Sequence, residues 1–277
     1  MTPQALIQQG KLSEALAALQ DQVRKDASNP KLRVFLFQLL CVLGQWTRAL
    51  TQLNVAGELD ATVMPMVQTY REAIQCEALR VEVFAGKRAP LIFGEPQPWL
   101  VQLLEALKYD ATNPPLAVDL RAQAFDAAPV STGSINGERF AWLADADPRI
   151  GPVLEAIVNG RYFWIPLCRV RKVEMDPPTD LRDAVWTAAT FTWTNGATTV
   201  GLIPTRYSDT TASGDEAMLL ARRTEWPEEG AFAGHGLGQR MLATDDADFA
   251  LLDIRVIEIA MVEEAVEPIS TGLEQHG

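Results

Sequence analysis

The feature that most constrains this chain is a hexad written twice. Gly10-Lys11-Leu12-Ser13-Glu14-Ala15 and Gly44-Gln45-Trp46-Thr47-Arg48-Ala49 share a Gly, a large apolar residue two places on and an Ala five places on, and their glycines stand 34 positions apart. That interval is the period of a tetratricopeptide repeat, a unit of two antiparallel helices. The glycine lets the turn close tightly, the large residue plugs the hairpin, and the alanine allows two helices to approach. Asn29-Pro30 supplies a cap and a proline at the first helical position. A chain built this way folds by stacking helical pairs.

The apolar stripes agree with that reading. Leu12, Ala15, Leu16, Leu19 and Val23 share one helical face, and Leu32, Phe35, Leu36, Leu39, Leu40 and Leu43 make a wider one. After Pro65 a long helix is predicted to stop near Gly86, in a segment that reads as a degenerate third turn. A break with two prolines and a glycine covers 91–98. Pro98 opens another helix, and Asn113-Pro114 repeats the cap-and-proline start of an alanine-rich one. Six or seven helices are expected over the first 128 residues.

Beyond a Ser-, Thr- and Gly-containing stretch over 129–137 the period changes from helical to alternating. Strands are predicted over 139–144 and 161–167, with Pro166 at an edge or bulge. One short helix is predicted over 151–158, stopped by Asn159-Gly160. Residues 185–194 and 197–203 flank Asn195-Gly196, the pair preferred in a two-residue hairpin turn. A last long strand is expected over 251–259, its phase slipping at Val256-Ile257 as if bulged. The fold class is α+β: a tetratricopeptide-like helical-hairpin domain over 1–130, then a small β-rich domain over 138–262, either a curved sheet or a partly open barrel. A loosely ordered tail is expected over 263–277.

The chemistry-bearing residues are sparse. A formal net charge of -12 disfavours nucleic acid and anionic membrane surfaces, both of which select clustered Lys and Arg. An acidic surface is compatible with a basic partner, although acidic soluble proteins are common. The three cysteines, Cys41, Cys76 and Cys168, lack the close spacing of a metal or redox motif. No signal peptide is expected at the N-terminus, and the longest apolar stretch, 34–43, is too short to span a bilayer. Cytoplasm is the expected compartment. His235 and His276 are the two histidines, so a catalytic triad would hang on His235 alone. Its glycine-rich surroundings, 234–238, are not followed by the Lys-Ser or Lys-Thr pair of a P-loop. Asp245, Asp246 and Asp248 lack calcium-loop spacing and read as a solvated turn. No metal or other cofactor is expected.

One polar constellation stands apart. Asp180, Arg182, Trp186, Arg206, Tyr207, Glu225, Trp226, Gln239 and Arg240 fall at or near predicted strand ends. Arginines beside aromatics are what protein interfaces favour, so these are candidate protein-binding residues. An internal ion-pair network that fastens loops to the β-domain would use the same residue types, and both readings stand open.

Through these same segments the chain resembles the ImpE family, also called TagJ or SciE, an accessory component of bacterial type VI secretion systems. The resemblance runs from Leu12-Ser13-Glu14-Ala15-Leu16 through Phe93-Gly94-Glu95-Pro96-Gln97-Pro98-Trp99-Leu100 and Pro177-Pro178-Thr179-Asp180-Leu181-Arg182-Asp183. It continues with Leu202-Ile203-Pro204-Thr205-Arg206-Tyr207, Arg223-Thr224-Glu225-Trp226, Gly236-Leu237-Gly238-Gln239-Arg240-Met241-Leu242 and Leu251-Leu252-Asp253-Ile254-Arg255. It implies a non-enzymatic adaptor that binds the small subunit of the contractile sheath through that subunit's N-terminal segment, with a link to sheath turnover by a ClpV-type ATPase. No catalytic residues carry over. A rival expectation is a hydrolase or nucleotide-dependent enzyme using the loops around His235, Gln239 and Arg240, and a third is a purely structural subunit.

Overall fold

The computed structural model describes residues 1–230 and 232–261. The tail expected over 263–277 lies outside them, as does residue 262. Seven helices form the first half: α1 (Pro3–Gln8), α2 (Leu12–Lys25), α3 (Pro30–Val42), α4 (Trp46–Leu59), α5 (Met64–Phe84), α6 (Pro98–Tyr109) and α7 (Pro114–Ala127). The repeat is visible in its turns. Gly10, Gly44 and Gly86 all have left-handed backbones, with φ of 78°, 67° and 67°. In each turn the following N–H (Lys11, Gln45, Lys87) donates to the carbonyl five residues back (Leu6, Leu40, Glu82). This closure satisfies carbonyls that a helix end leaves orphaned. The degenerate third turn is therefore the same device as the first two. At Gly86 a Cβ would also meet the backbone of Leu107 and Lys108 at 2.7 Å, so glycine is what lets α6 cross the turn. Asn29 accepts from the N–H groups of Lys31 and Leu32, and Asn113 from that of Leu116, as N-caps.

The second half is an open sheet. Its strands are β2 (Gly133–Ile135), β3 (Glu138–Phe140), β4 (Leu143–Asp145), β5 (Val153–Val158), β6 (Arg161–Pro166), β7 (Val170–Met175), β8 (Trp186–Trp193) and β9 (Thr198–Pro204). Two short helices follow, α8 (Thr210–Ser213) and α9 (Glu216–Leu219). Then come β10 (Thr224–Glu225), β11 (Leu237–Gly238), β12 (Met241–Thr244), β13 (Asp248–Ala250) and β14 (Val256–Ile259). The main sheet has nine strands in the order β1-β6-β5-β9-β8-β7-β14-β2-β3, where β1 (Leu91–Ile92) comes from the proline-rich break in the helical half and pairs in parallel with β6. Strands β13-β12-β4 form a second, three-stranded sheet, and β10 and β11 pair as a two-stranded ribbon. Of the two shapes expected, a curved sheet or a partly open barrel, a sheet rather than a barrel is formed, and it is open.

The main sheet is a wall between two cores. Val153, Ile157, Tyr162, Trp164 and Trp186 pack with the helices, whereas Leu154, Ala156, Val158, Ile165 and Phe191 pack on the opposite face with Leu242, Ile254 and Ile257. This explains the clearest correction. Residues 151–158, expected as a helix, hold strand β5, and all six of its residues are buried. A strand covered on both faces shows no polar alternation, so its period is invisible. The pair that looked like a helix stop, Asn159-Gly160, has φ of 49° and 70° and is a two-residue hairpin turn joining β5 to β6. Asn136-Gly137, inside the expected linker, makes another such turn between β2 and β3.

Other boundaries shift for similar reasons. At Asn195-Gly196 only Gly196 is left-handed, Gly196 N–H donates to Trp193, and Trp193 N–H donates to Ala197. The loop there is three residues with a glycine bulge, not two. The strand expected over 139–144 is split between β3 and β4. The expected long strand 251–259 is a 3-10 turn, Leu251–Asp253, followed by β14. Leu251, Ile254 and Ile257 are fully buried at a spacing of three, and the turn produces the phase slip that read as a bulge. No helix among the described residues is long and apolar enough to cross a membrane.

Candidate interaction site and the buried ion network

Helix α5 runs over the sheet face and lowers two charged residues onto it. Arg80 Nε donates to Glu155 Oε1 at 2.6 Å, and its Nη2 donates to Glu155 Oε2 at 3.0 Å and to the Arg206 carbonyl at 2.7 Å. Glu155 sits mid-strand in β5 and also receives Tyr162 Oη–H and Arg240. Arg240 bridges onward to Asp145, and its Nε donates to the Pro204 carbonyl at 3.0 Å. Tyr207 Oη–H donates to Asp145 at 3.1 Å. Glu77, one turn before Arg80, accepts from Trp186 Nε1 at 2.9 Å. These groups tie α5, β4, β5, β8 and the segment leading into β12 into one buried polar web.

The web sets its own protonation. Burial pulls the Glu155 carboxyl up, but Arg80 and Arg240 outweigh it and hold the group at about 2. Asp145 shares Arg240, yet burial wins there, helped by the neighbouring Asp147 carboxylate, and the group rises to about 6. The opposite directions follow from two guanidinium partners for Glu155 and one for Asp145. Among the described residues no carboxylate forms an ion pair with Arg206. Its guanidinium donates to the carbonyls of Val42 at 2.8 Å and Leu219 at 2.5 Å, and burial lowers it to about 10, so it stays charged at neutral pH. It faces the C-terminal carbonyls of α3, where a cation is favoured.

A second cluster adjoins the first. Arg149 pairs with Asp147 at 2.6 Å and with Asp209 at 2.7 Å. Asp209 in turn meets His235 Nδ1 at 3.0 Å. Burial raises the Asp209 carboxyl, but the His235 hydrogen bond and Arg149 hold it at about 2. Gly236 N–H donates to Asp147 at 3.2 Å, which pins the glycine-rich loop. Among the described residues His235 makes no hydrogen bond to a Ser or Cys.

Four of the nine candidate binding residues are corrected to the interior. Trp186, Arg206, Tyr207 and Arg240 are buried and place their polar atoms inside the fold, so none is presented to a partner. Gln239 is half-buried, donating to the Ala221 carbonyl at 2.7 Å and accepting from Leu252 N–H at 2.9 Å. The remaining four reach solvent. Asp180 caps a 3-10 turn, Leu181–Ala184, and Arg182 lies over the Tyr70 ring at 4.8 Å. Both line a cleft with Pro178 and Arg255. Glu225 pairs with Arg223 at 2.9 Å, and Trp226, 40% exposed, leans on Tyr207 at 5.3 Å. Glu225 ends β10 of the two-stranded ribbon, and Trp226 directly follows it. Sequence reasoning missed Glu77, Arg80, Asp145, Asp147, Arg149 and Glu155. The available signal was a charged residue inside an apolar run, most plainly Glu155 between Leu154 and Ala156.

Comparison with known proteins completes the picture. A family model described as ImpE protein matches residues 137–258, and one described as tetratricopeptide repeat matches residues 6–73. The type VI secretion system accessory component TagJ of Pseudomonas aeruginosa is 52% identical over 259 residues, covering 93% of this chain and 91% of that protein. The chain belongs to the ImpE family. The tetratricopeptide match spans the turns at Gly10 and Gly44, and the ImpE match holds most of the sheet with Glu155, Arg206 and Arg240. A crystal structure of protein VPA1032 from Vibrio parahaemolyticus superposes with a TM-score of 0.84 at 23% identity, covering 96% of this chain and 99% of that one. That likeness speaks to the fold, helical half and sheet together.

Proposed function

We propose that this ImpE chain is a non-enzymatic adaptor of a type VI secretion system that binds the small contractile-sheath subunit through that subunit's N-terminal segment and links it to turnover by a ClpV-type ATPase. The observation that carries the reading is the 52% identity, along nearly the whole of both chains, to a protein named as an accessory component of that system. The buried web supports it: the arginines and carboxylates that an enzyme would hold in a cleft are here paired with one another inside the fold. Asp180, Arg182, Glu225 and Trp226 are the surface residues we assign to partner contact. The three cysteines are free thiols, which suits a reducing cytoplasm, where we place the adaptor.

Co-purification of the intact chain with the purified sheath subunit tests this directly. The full-length subunit is expected to be retained and one lacking its N-terminal segment lost; no retention of either sinks the proposal. One geometric feature favours a hydrolase instead, namely Asp209 positioned to orient His235 at 3.0 Å. An esterase or phosphatase activity abolished in His235→Asn would replace the adaptor reading.

A further inference from the structure

We infer that the groove between the end of α7 and the open edge of β4 is a docking site for a peptide segment carrying an apolar anchor flanked by Lys or Arg. The inference rests on the adaptor reading only for which protein supplies the segment. The groove has a volume of about 440 Å³, within the range of pockets that take small ligands and anchoring side chains. Three large apolar residues open into it: Phe125, Val130 and Trp142, exposed to 37%, 63% and 41%. Single exposed apolar residues are ordinary, but several converging on one concavity mark an interaction surface. An aromatic anchor at such a place contributes more than its neighbours.

The concavity is built rather than incidental. Gly151 has φ of 55°, and a Cβ there would stand 2.2 Å from the Phe125 ring, so the ring lies directly on backbone. Pro148 and Pro152 stiffen the wall beside it. Strand β4 ends the three-stranded sheet, with β12 on one side and, among the described residues, no strand on the other. Asp145 N–H is taken by the Gly151 carbonyl at 2.7 Å. Ser131 lines the groove at 4% exposure, and among the described residues its hydroxyl has no hydrogen-bond partner. A buried hydroxyl left unmatched is costly, and a docked backbone would satisfy it.

Charge selects the occupant. Among the described residues no Lys or Arg lines the groove, and the one charged lining residue, Asp145, is already held by Arg240 and Tyr207. The rim is acidic. Asp248 pairs directly with Ala243, which in turn pairs with Ala144. Residues directly opposite in antiparallel strands share a face, so exposed Asp248 stands on the same face as those two groove-lining alanines. Asp245 accepts from Ala141 N–H at 2.7 Å, beside Trp142, and exposed Asp126 follows Phe125. In a chain of net charge -12 this rim attracts cations and repels acidic segments.

The test is fluorescence anisotropy of the full chain with a labelled synthetic peptide of leucine and phenylalanine anchors flanked by lysines, against the same peptide flanked by glutamates. The lysine peptide is expected to bind at least about tenfold tighter and to weaken with salt. Trp142→Ser and Val130→Lys, each checked for native circular dichroism, are expected to weaken it about tenfold. Val200→Lys, at an exposed position of β9, serves as the control and leaves binding unchanged. Equal affinity for the two peptides, binding indifferent to both groove variants, or no binding overturns the inference. A dimer dispersed by Val130→Lys would give the groove to a second copy, and tighter binding by Ile269→Asp would give it to the chain's own C-terminal segment; either also overturns it. If the lysine peptide behaves as expected while no sheath subunit is retained, the adaptor reading fails and the groove stands. If both groove variants retain the sheath subunit as the parent chain does and the lysine peptide does not bind, the groove fails and the adaptor reading stands.

Discussion

Trp186 and Trp142 belong to the same half of the chain and meet opposite fates. Trp186 is sealed under α5 and donates to Glu77, whereas Trp142, just before β4, is 41% exposed and opens into a groove. The same inversion holds for charge. Arg240 and Arg206, residue types that interfaces favour, are consumed by carboxylates and helix-end carbonyls of the interior, while the concave surface that remains is apolar with an acidic edge. An arginine beside an aromatic is thus equally the mark of an interface and of an internal clamp. What separates the two is whether the partner groups lie within the chain.

That contrast can be broken most forcefully at Glu155. Glu155→Gln leaves Arg80 and Arg240 facing each other without their shared anion, and losing one member of a buried ion group costs about 3–5 kcal/mol. For a chain of this size the thermal midpoint is expected to fall by roughly 10 °C, read by circular dichroism; a shift of a degree or two would show that the web contributes little. A smaller effect is expected in pH. The Asp145 carboxyl, raised to about 6, keeps its proton in the fold where the unfolded chain has lost it. Its contribution is therefore complete below about pH 4 and lost as pH rises towards 6, a change of at most about 3 kcal/mol. Glu155 and Asp209, both held at about 2, act in reverse: their stabilisation is complete above about pH 5 and lost as pH falls through 2. Stability is expected to peak between pH 4 and 5 and to decline towards neutrality, and Asp145→Asn should flatten that decline in urea titrations at pH 5 and 7. The smallest effect belongs to the groove. Trp142→Ser and Val130→Lys are expected to change stability by about 0.5 kcal/mol or less, measured by urea denaturation, although they alter binding. A large loss would make the groove part of the core.

Much of this was legible in the residues and some was not. The helical half was readable because its turns need glycine at φ values of 67° to 78° and its helices are covered mainly on one side. Strand β5 was not, because both faces of Val153–Val158 are buried and the pattern that would mark it is erased. Asn195-Gly196 was legible as a hairpin turn though not its type, whereas Asn159-Gly160 read as a helix stop and Asn136-Gly137 as part of a linker, and both are hairpin turns. Of the candidate site, Asp180, Arg182, Glu225 and Trp226 are on the surface and Trp186, Arg206, Tyr207 and Arg240 are not, a division that nothing in their local sequence announces.

Sequence alone determined the stacked hairpins, the α+β class and the ImpE family, since local turn chemistry and the order of motifs are properties of the chain itself. Only the tertiary structure decided that Arg80 meets Glu155, 75 positions further along the chain, and that Phe125, Val130 and Trp142 converge on one groove. Which distant group neutralises a buried charge, and which apolar surface is left uncovered, depend on packing between elements far apart in the chain.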